Sequence, residues 1–238
     1  PHCRASKVGP SGWARGWMRS TAGTAWAVVE VRSAAVQRDT SREVGWNIQL
    51  WQIRRPKEGV SVDRIEDKVS LLPEGLQNHI QRTRIKAKEI SNIHGIDEIK
   101  CELGVLSHDL ARHFNKEHLE DESKRLQIET SEIEKKEPLL LHGPIAAAWL
   151  KDYYGCTDED VIAAVHHHTT GRPYMSDIEK VVFISDKIEP GKVSKNPKLK
   201  PVADTALSNL DEAISQYLSL RIINILESGG LVHPAALD

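Results

Sequence analysis

One pair of residues limits the folds open to this chain. The adjacent His108 and Asp109 end an apolar run of helical period, CELGVLSHDLARHF, at residues 101–114. Residues three and four apart share one face of a helix, so Val105 and both members of the pair point toward the protein interior. A carboxylate near an apolar core is unfavourable unless a cation compensates its charge. We therefore predict that the pair belongs to a metal site inside a helical protein.

The chain after residue 62 has the alternation of caps and apolar stripes that is typical of a helical bundle. Residues 116–136 are so highly charged that we interpret them as a solvated helix or surface loop. Within the third helix, the small Gly104 would let another element approach closely. The predicted helices are a first capped by Asp63, a second from Pro73 to about His94 with Gly95 at its end, a third from Asp97 to Phe114, one beginning at Pro144, one capped by Thr157, one capped by Ser176 and broken by Pro190, and one from Leu207 to Ser228.

The first 60 residues differ in composition from the rest. They contain ten Lys or Arg residues against four acidic residues, and five of the six tryptophans. Only residues 24–36 and 44–53 have strand-like composition. We interpret residues 1–62 as a basic, tryptophan-rich extension of little regular structure, poorly ordered or disordered, for which a misassigned translation start is one origin. A basic aromatic arm for nucleic acid is the alternative.

Composition excludes several classes of protein. The net charge of −2 does not indicate a nucleic-acid partner, and no apolar run is long enough to cross a membrane. The three cysteines are isolated from one another, which argues against a disulfide framework and against a cysteine-rich zinc site. We therefore predict a cytoplasmic protein.

Four further residues of the metal-ligating types lie at inward or capping positions of the predicted helices: His79, His142, His168 and Asp186. With His108 and Asp109 they form a set of imidazole and carboxylate groups that suits Fe, Mn, Zn or Ni. The alternative for each histidine is a hydrogen-bonded core residue. In the run of three histidines ending at His168, we prefer His168 as the ligand and interpret His166 and His167 as surface or supporting residues.

Five segments in a fixed order carry a family resemblance. The chain after residue 62 resembles the HD-domain metallohydrolases, and within them the YqeK family of symmetrical dinucleoside tetraphosphate hydrolases. The segments are HIQR at 79–82, LSHDLAR at 106–112, LLHGPIAA at 140–147, HTTGRPYMSDIEK at 168–180 and ISDKIEPGK at 184–192.

The resemblance implies an all-α HD-domain bundle over residues 63–238 that binds two metal ions. The first metal would be held by His79, His108, Asp109 and Asp186, and the second by His142 and His168 with Asp109 as a bridge. Iron is the metal that the family suggests, with Mn, Co, Ni or Zn as alternatives. Asp109, His108 and Arg82 are the expected catalytic residues.

The resemblance also implies a substrate, diadenosine tetraphosphate, cut symmetrically to two ADP. A hydroxide generated on the metal pair would attack an inner phosphate, so no Ser or Cys nucleophile is needed. Expected substrate contacts are Arg82, Thr169, Gly171, Arg172 and Lys187, although salt bridges or helix caps are alternative roles for these residues. No nucleic acid or membrane partner is expected, and a homodimer is compatible with the pattern.

Departures from the family pattern leave other functions open. Lys187 stands where the family commonly has Tyr, Lys192 where Arg is frequent and Arg112 where Lys is usual. One alternative is an HD phosphohydrolase that acts on another nucleotide. Another is a non-catalytic, nucleotide-binding regulatory module, which a broken ligand set would indicate.

Overall fold

The computed structural model describes residues 60–237 together with two N-terminal strands, Trp13–Arg19 (β1) and Trp26–Arg32 (β2). The strands and the helices belong to two separate compact units. The strands form an antiparallel pair in which Trp13 lies opposite Arg32. The boundary at residues 62 and 63 stays a prediction.

The N-terminal strands correspond only in part to the sequence pattern. β2 lies inside the stretch 24–36 that has strand-like composition, whereas no pattern predicts β1. The second strand-like stretch, 44–53, lies outside the described residues.

The helical unit confirms the predicted all-α bundle. No helix of the described residues is both long and apolar enough to cross a bilayer. Short 3₁₀ turns at Pro138–Leu141 and Pro197–Leu199 connect helices, and a third, Pro234–Ala236, follows the last helix. The α-helices are Val62–Val69 (α1), Glu74–His94 (α2), Glu98–Ser107 (α3), Lys116–Arg125 (α4), Glu132–Lys136 (α5), His142–Asp152 (α6), Glu159–His167 (α7), Asp177–Ile188 (α8), Pro190–Lys195 (α9), Lys200–Thr205 (α10) and Leu210–Glu227 (α11).

Several helix ends follow from the capping residues. Gly95 ends α2 in the left-handed conformation with a φ of 67°, and the Asp97 carboxylate accepts a hydrogen bond from the backbone N–H of Lys100. Ser176 and Glu179 form a reciprocal capping box at the start of α8. These three predicted caps are confirmed.

Other predicted ends are wrong. Ser61, not Asp63, precedes α1, so that Asp63 lies in the first turn. Asp158, not Thr157, caps α7, because its carboxylate accepts hydrogen bonds from two backbone N–H groups of the first turn. The predicted break at Pro190 is confirmed, because α8 ends at Ile188; Pro190 itself occupies the first turn of the next helix, α9, where its missing N–H costs nothing.

The third helix ends earlier than predicted. α3 stops at Ser107, and residues 108–113 form a series of turns instead of continuing to Phe114. The Nδ1 atom of His108 lies 2.6 Å from the carbonyl oxygen of Val105, so the imidazole competes with the backbone for this acceptor. The His-Asp pair therefore lies at a helix end rather than within a helix.

Helix α8 is the centre of the bundle. Almost every residue from Ile178 to Ile188 is buried, and α2, α3, α7 and α11 all pack against this helix. A Cβ atom at Gly104 would lie only 2.7 Å from Cγ2 of Val182, so the predicted close approach at this glycine is confirmed. Buried charges on α8 must consequently be compensated within the bundle.

Candidate metal centre

The six predicted ligand residues come together at one place in the helical unit. Five of them are buried, and His79 is half-buried. Three subsets of them, each with at least one carboxylate, bring their ligand atoms within 4.8 Å of one another. The residues are His79 in α2, His108 and Asp109 after α3, His142 at the start of α6, His168 after α7 and Asp186 in the last turn of α8.

Three of the histidines share one mode of anchoring. The Nδ1 atom of His108, His142 and His168 lies against the backbone carbonyl of the residue three positions earlier, at 2.6 Å for His108 and 2.8 Å for His168. A carbonyl oxygen only accepts hydrogen bonds, so each Nδ1 carries the proton and donates it. Each Nε2 atom therefore presents a lone pair to the centre of the site.

The arrangement of these lone pairs suits a cation. The Nε2 atoms of His142 and His168 lie 3.0 Å apart, and neither carries a proton in the tautomer that its anchor sets. The Thr169 hydroxyl lies 3.1 Å from His168 Nε2 and 3.4 Å from His142 Nε2, and its single proton can serve only one of them. The buried Nε2 of His108 has no hydrogen-bond partner among the described residues. The donor set therefore fits a metal ion.

Asp109 lies between two pairs of histidines. Its Oδ1 atom is 3.2 Å from His142 Nε2 and 3.5 Å from His168 Nε2. Its Oδ2 atom is 3.5 Å from His108 Nε2 and 3.6 Å from His79 Nε2. Each carboxylate oxygen thus faces a different pair of imidazoles, which is the arrangement of a carboxylate that can bridge two ions.

The protonation states suit metal binding. Burial raises the pKa of Asp109, but the neighbouring His108, His142 and His168 more than offset this effect, so its pKa lies well below the usual range. Burial lowers the pKa of His168 to about 3 and also lowers that of His108. Ionised carboxylate and neutral imidazole are the forms that bind metals.

Asp186 lies close to two lysines and one histidine. Lys187 Nζ lies 2.7 Å from Oδ2, Lys192 Nζ lies 2.5 Å from Oδ1, and His79 Nε2 lies 3.0 Å from Oδ1. Burial raises the pKa of Asp186, but the two lysines and His79 more than offset this effect, so its pKa lies well below the usual range. Lys187 is itself buried, with its ammonium 5.1 Å from the centroid of the Phe183 ring.

A cleft of about 860 Å³ opens onto the site. Its lining includes five of the six cluster residues, all except His108. Apolar side chains of α11 and of the segment after it, such as Leu218, Ile222 and Leu231, also line the cleft. Cationic side chains from several elements also line it: Arg112, Lys187, Lys192, Lys195 and Arg221.

The residues predicted to contact substrate fall into two groups. Thr169 and Lys187 line the cleft, whereas Arg82, Gly171 and Arg172 do not belong to its lining within the described residues. Gly171 has a φ of 72° and ends the turn after α7. The roles of all five as substrate contacts stay predictions.

Both predicted phosphate-binding arginines are paired with buried glutamates. Arg82 Nε lies 2.6 Å from Glu189 Oε2, and Arg172 Nε lies 2.6 Å from Glu179 Oε1. A second donor of each guanidinium binds the other oxygen of the same glutamate. The salt bridges that the sequence left as an alternative are therefore present.

Two cationic residues that line the cleft, Lys195 and Arg221, have no function predicted from the sequence. They lie on α9 and α11, and only the packing of these helices brings them to the site. The neighbours of His168 are separate from the cluster: His166 is exposed, and its ring centroid lies 4.3 Å from that of the half-buried His167.

Comparisons with known proteins agree with this geometry. The family model described as HD domain matches residues 76–191. The symmetrical bis(5'-nucleosyl)-tetraphosphatase of Staphylococcus aureus is 32% identical over 175 residues, which are 70% of this chain and 86% of that protein. The protein of the same name from Halalkalibacterium halodurans is 32% identical over 63% of this chain and 79% of its own length.

A solved structure shows the same fold. It is the crystal structure of a predicted HD superfamily hydrolase involved in NAD metabolism from Clostridium acetobutylicum, with a TM-score of 0.71 and 29% identity. The match covers 76% of this chain and 95% of that one. The HD motif, the helical bundle and these relatives lead to one assignment: the chain is an HD-domain hydrolase and belongs to the family of symmetrical bis(5'-nucleosyl)-tetraphosphatases.

Proposed function

We propose that this protein is a metal-dependent phosphohydrolase that cleaves diadenosine tetraphosphate symmetrically into two ADP. The observation that carries the proposal is the position of Asp109, whose two oxygens each face a separate pair of imidazole Nε2 atoms. The names of the S. aureus and H. halodurans relatives support the choice of substrate.

The two ions would share Asp109. His79, His108 and Asp186 complete one ligand group, and His142 with His168 completes the other. When bound, a pair of divalent ions lowers the pKa of a coordinated water and offsets the negative charge that develops on the phosphate. Iron as the metal, with Mn, Co, Ni or Zn as alternatives, stays a prediction, as do the homodimer and the cytoplasmic location.

The chain's own side chains bind and orient the polyphosphate. A cleft of about 860 Å³ falls within the usual range for ligand pockets, about 300–1,000 Å³. Arg112, Lys195 and Arg221 reach it from three different elements, and all three are exposed. Cations on several sides can grip the phosphates that flank the one under attack.

The apolar wall of the cleft is suited to a nucleoside. Leu218, Ile222 and Leu231 offer a surface for one face of a base next to the cationic part of the cleft. A ligand with an apolar base joined to a polyanion matches this division. The combination supports a nucleotide substrate over an inorganic polyphosphate.

The proposal is tested by digesting diadenosine tetraphosphate with metal-loaded protein and separating the products. ADP alone is expected, whereas AMP together with ATP would reject symmetrical cleavage. Full metal occupancy without any hydrolysis would instead indicate a regulatory nucleotide-binding module.

A substitution tests the site itself. Asp109→Ala should abolish both metal retention and hydrolysis without unfolding the bundle, because it removes an oxygen donor from each ligand group. Asp121→Ala is the matched control, since the Asp121 side chain is 80% exposed on α4. Near-normal activity of Asp109→Ala would contradict the site assignment.

A further inference from the structure

One of the four cluster histidines lacks the local anchor of the other three. His108, His142 and His168 lie at helix ends and donate Nδ1–H to a carbonyl three residues earlier. His79 lies inside α2, where the backbone carbonyls are engaged in the helix itself. Its Nδ1 atom instead lies 3.4 Å from Oε1 of Glu189, which is 110 residues away in the chain.

Glu189 is held rigidly in this position. Its side chain is only 2% exposed and accepts a hydrogen bond of 2.6 Å from the backbone N–H of Gly191. Arg82 donates to both of its oxygens, at 2.6 Å from Nε and 3.2 Å from Nη2. Such two-point pairs of arginine and carboxylate fix orientation as well as charge.

The same elements hold both nitrogens of the His79 ring. Arg82 lies one turn after His79 on α2, and Asp186 lies one turn before Glu189 at the end of α8. Asp186 Oδ1 is 3.0 Å from Nε2, on the side of the ring opposite Glu189. A Cβ atom at Gly191 would lie 2.8 Å from Arg82 Nε, so the guanidinium would have to shift if residue 191 carried a side chain.

We propose that Glu189 and Arg82 are positioning residues for the metal site: Glu189 sets the tautomer and the orientation of His79, and Arg82 holds Glu189 in place. The inference rests on the proposed function, because it needs a metal ion on His79. It gives Arg82 a role different from the phosphate contact that the sequence suggests. Two of its donors are already engaged by Glu189, and the residue is not part of the cleft lining in the described region.

The chain contains a matched control for this pair. Arg172 and Glu179 form the same kind of two-point salt bridge. The side chain of Arg172 is 39% exposed and that of Glu179 is 1% exposed, against 40% for Arg82 and 2% for Glu189. Glu179 also accepts a backbone N–H, from Ser176 at 2.8 Å. Glu179 has no recorded contact with a cluster residue among the described residues, so only Glu189 can transmit its orientation to the site.

The experiment is a calorimetric titration of metal-free protein with Mn²⁺, accompanied by thermal melting of each variant. Glu189→Gln and Arg82→Gln should each weaken one of the two Mn²⁺ sites by about 10- to 100-fold, the usual effect of losing a group that orients a metal ligand. The double variant should lose little more Mn²⁺ affinity than the single variant that shows the larger loss, because both residues act through one contact. Arg82→Lys, which keeps the charge and one donor, should restore part of the affinity.

The control separates positioning from general stability. Glu179→Gln should lower the melting temperature about as much as Glu189→Gln does but leave the Mn²⁺ affinity of both sites unchanged. An equal loss of Mn²⁺ affinity in this control would show that Glu189 only stabilises the fold. Unchanged Mn²⁺ affinity in Arg82→Gln with a raised KM would overturn the proposal in favour of a phosphate contact. A wild-type chain that binds no Mn²⁺ would overturn both this inference and the proposed function.

Discussion

Replacing Gly143 by alanine should damage the site from a position that offers no ligand. Gly143 is the second residue of α6, which packs against the end of α7. A Cβ atom there would lie 2.7 Å from the carbonyl oxygen of His166 and 3.2 Å from ring atoms of His168. The new methyl group therefore meets backbone on one side and a candidate metal ligand on the other.

The size of the effect follows from these distances. Ordinary carbon–oxygen contacts begin at about 3.3 Å, so α6 and the end of α7 must separate by roughly 0.6 Å. Overpacking of this kind costs about 1–3 kcal/mol, which corresponds to a decrease in melting temperature of about 2–12 °C for a domain of this size. A catalytic group misplaced by about 1 Å costs about 100-fold in rate, so a loss of roughly 10-fold is expected.

Urea unfolding of the metal-free protein, Mn²⁺ titration and hydrolysis rates measure the three effects of Gly143→Ala. Gly75→Ala is the control, because no atom lies within 4 Å of the added Cβ and alanine stabilises a helical position by about 0.5–1 kcal/mol. The reasoning would be refuted by a Gly143→Ala protein that unfolds, binds Mn²⁺ and turns over like the wild type.

Three further outcomes are expected. Trp149→Phe should destabilise the protein by about 1.5–3 kcal/mol in urea titrations, because the indole N–H donates a 2.7 Å hydrogen bond to the buried Glu122 side chain, which also pairs with Arg125; an unchanged midpoint would contradict this. Burial raises the pKa of Glu179, but Arg172 more than offsets it, so its folded pKa lies below the ordinary 4.5. The stability advantage of wild type over Glu179→Gln should therefore be complete above pH 4.5 and shrink as the pH falls through the folded value, whereas a constant difference would count against it. Arg221→Gln should raise KM for diadenosine tetraphosphate about fivefold, the equivalent of a ~1 kcal/mol exposed charge contact, without changing Mn²⁺ affinity; an unaltered KM would remove Arg221 from the substrate contacts.

The sequence predicts the cluster well because histidine and aspartate are rarely placed on inward helix faces. Local spacing places His79, His168 and Asp186 on such faces and His142 at a helix cap, and the structure brings all four to His108 and Asp109. The end of α3 cannot be predicted from the sequence, because periodicity does not reveal that the His108 imidazole will bind the backbone carbonyl of Val105 in its own helix.

Long-range partners could not be predicted from spacing. Arginine commonly binds phosphate, but the side chain of Arg82 pairs with Glu189, which lies 107 residues further along the chain. Likewise, Arg221 reaches the cleft only because α11 packs on α8. Contacts of this kind depend on how whole helices are arranged, and the pattern of a single helix does not encode them.

The local anchors of His108, His142 and His168 make each of these ligands a short, self-contained unit: an imidazole at a helix end and the carbonyl three residues before it. In such a unit the nearby carbonyl keeps the proton on Nδ1, so no distant partner has to be designed with it. A designer could place it at the ends of helices in an unrelated bundle and obtain a correctly oriented Nε2 donor at each. The mid-helix ligand His79, by contrast, could be transferred only together with Glu189 and Arg82.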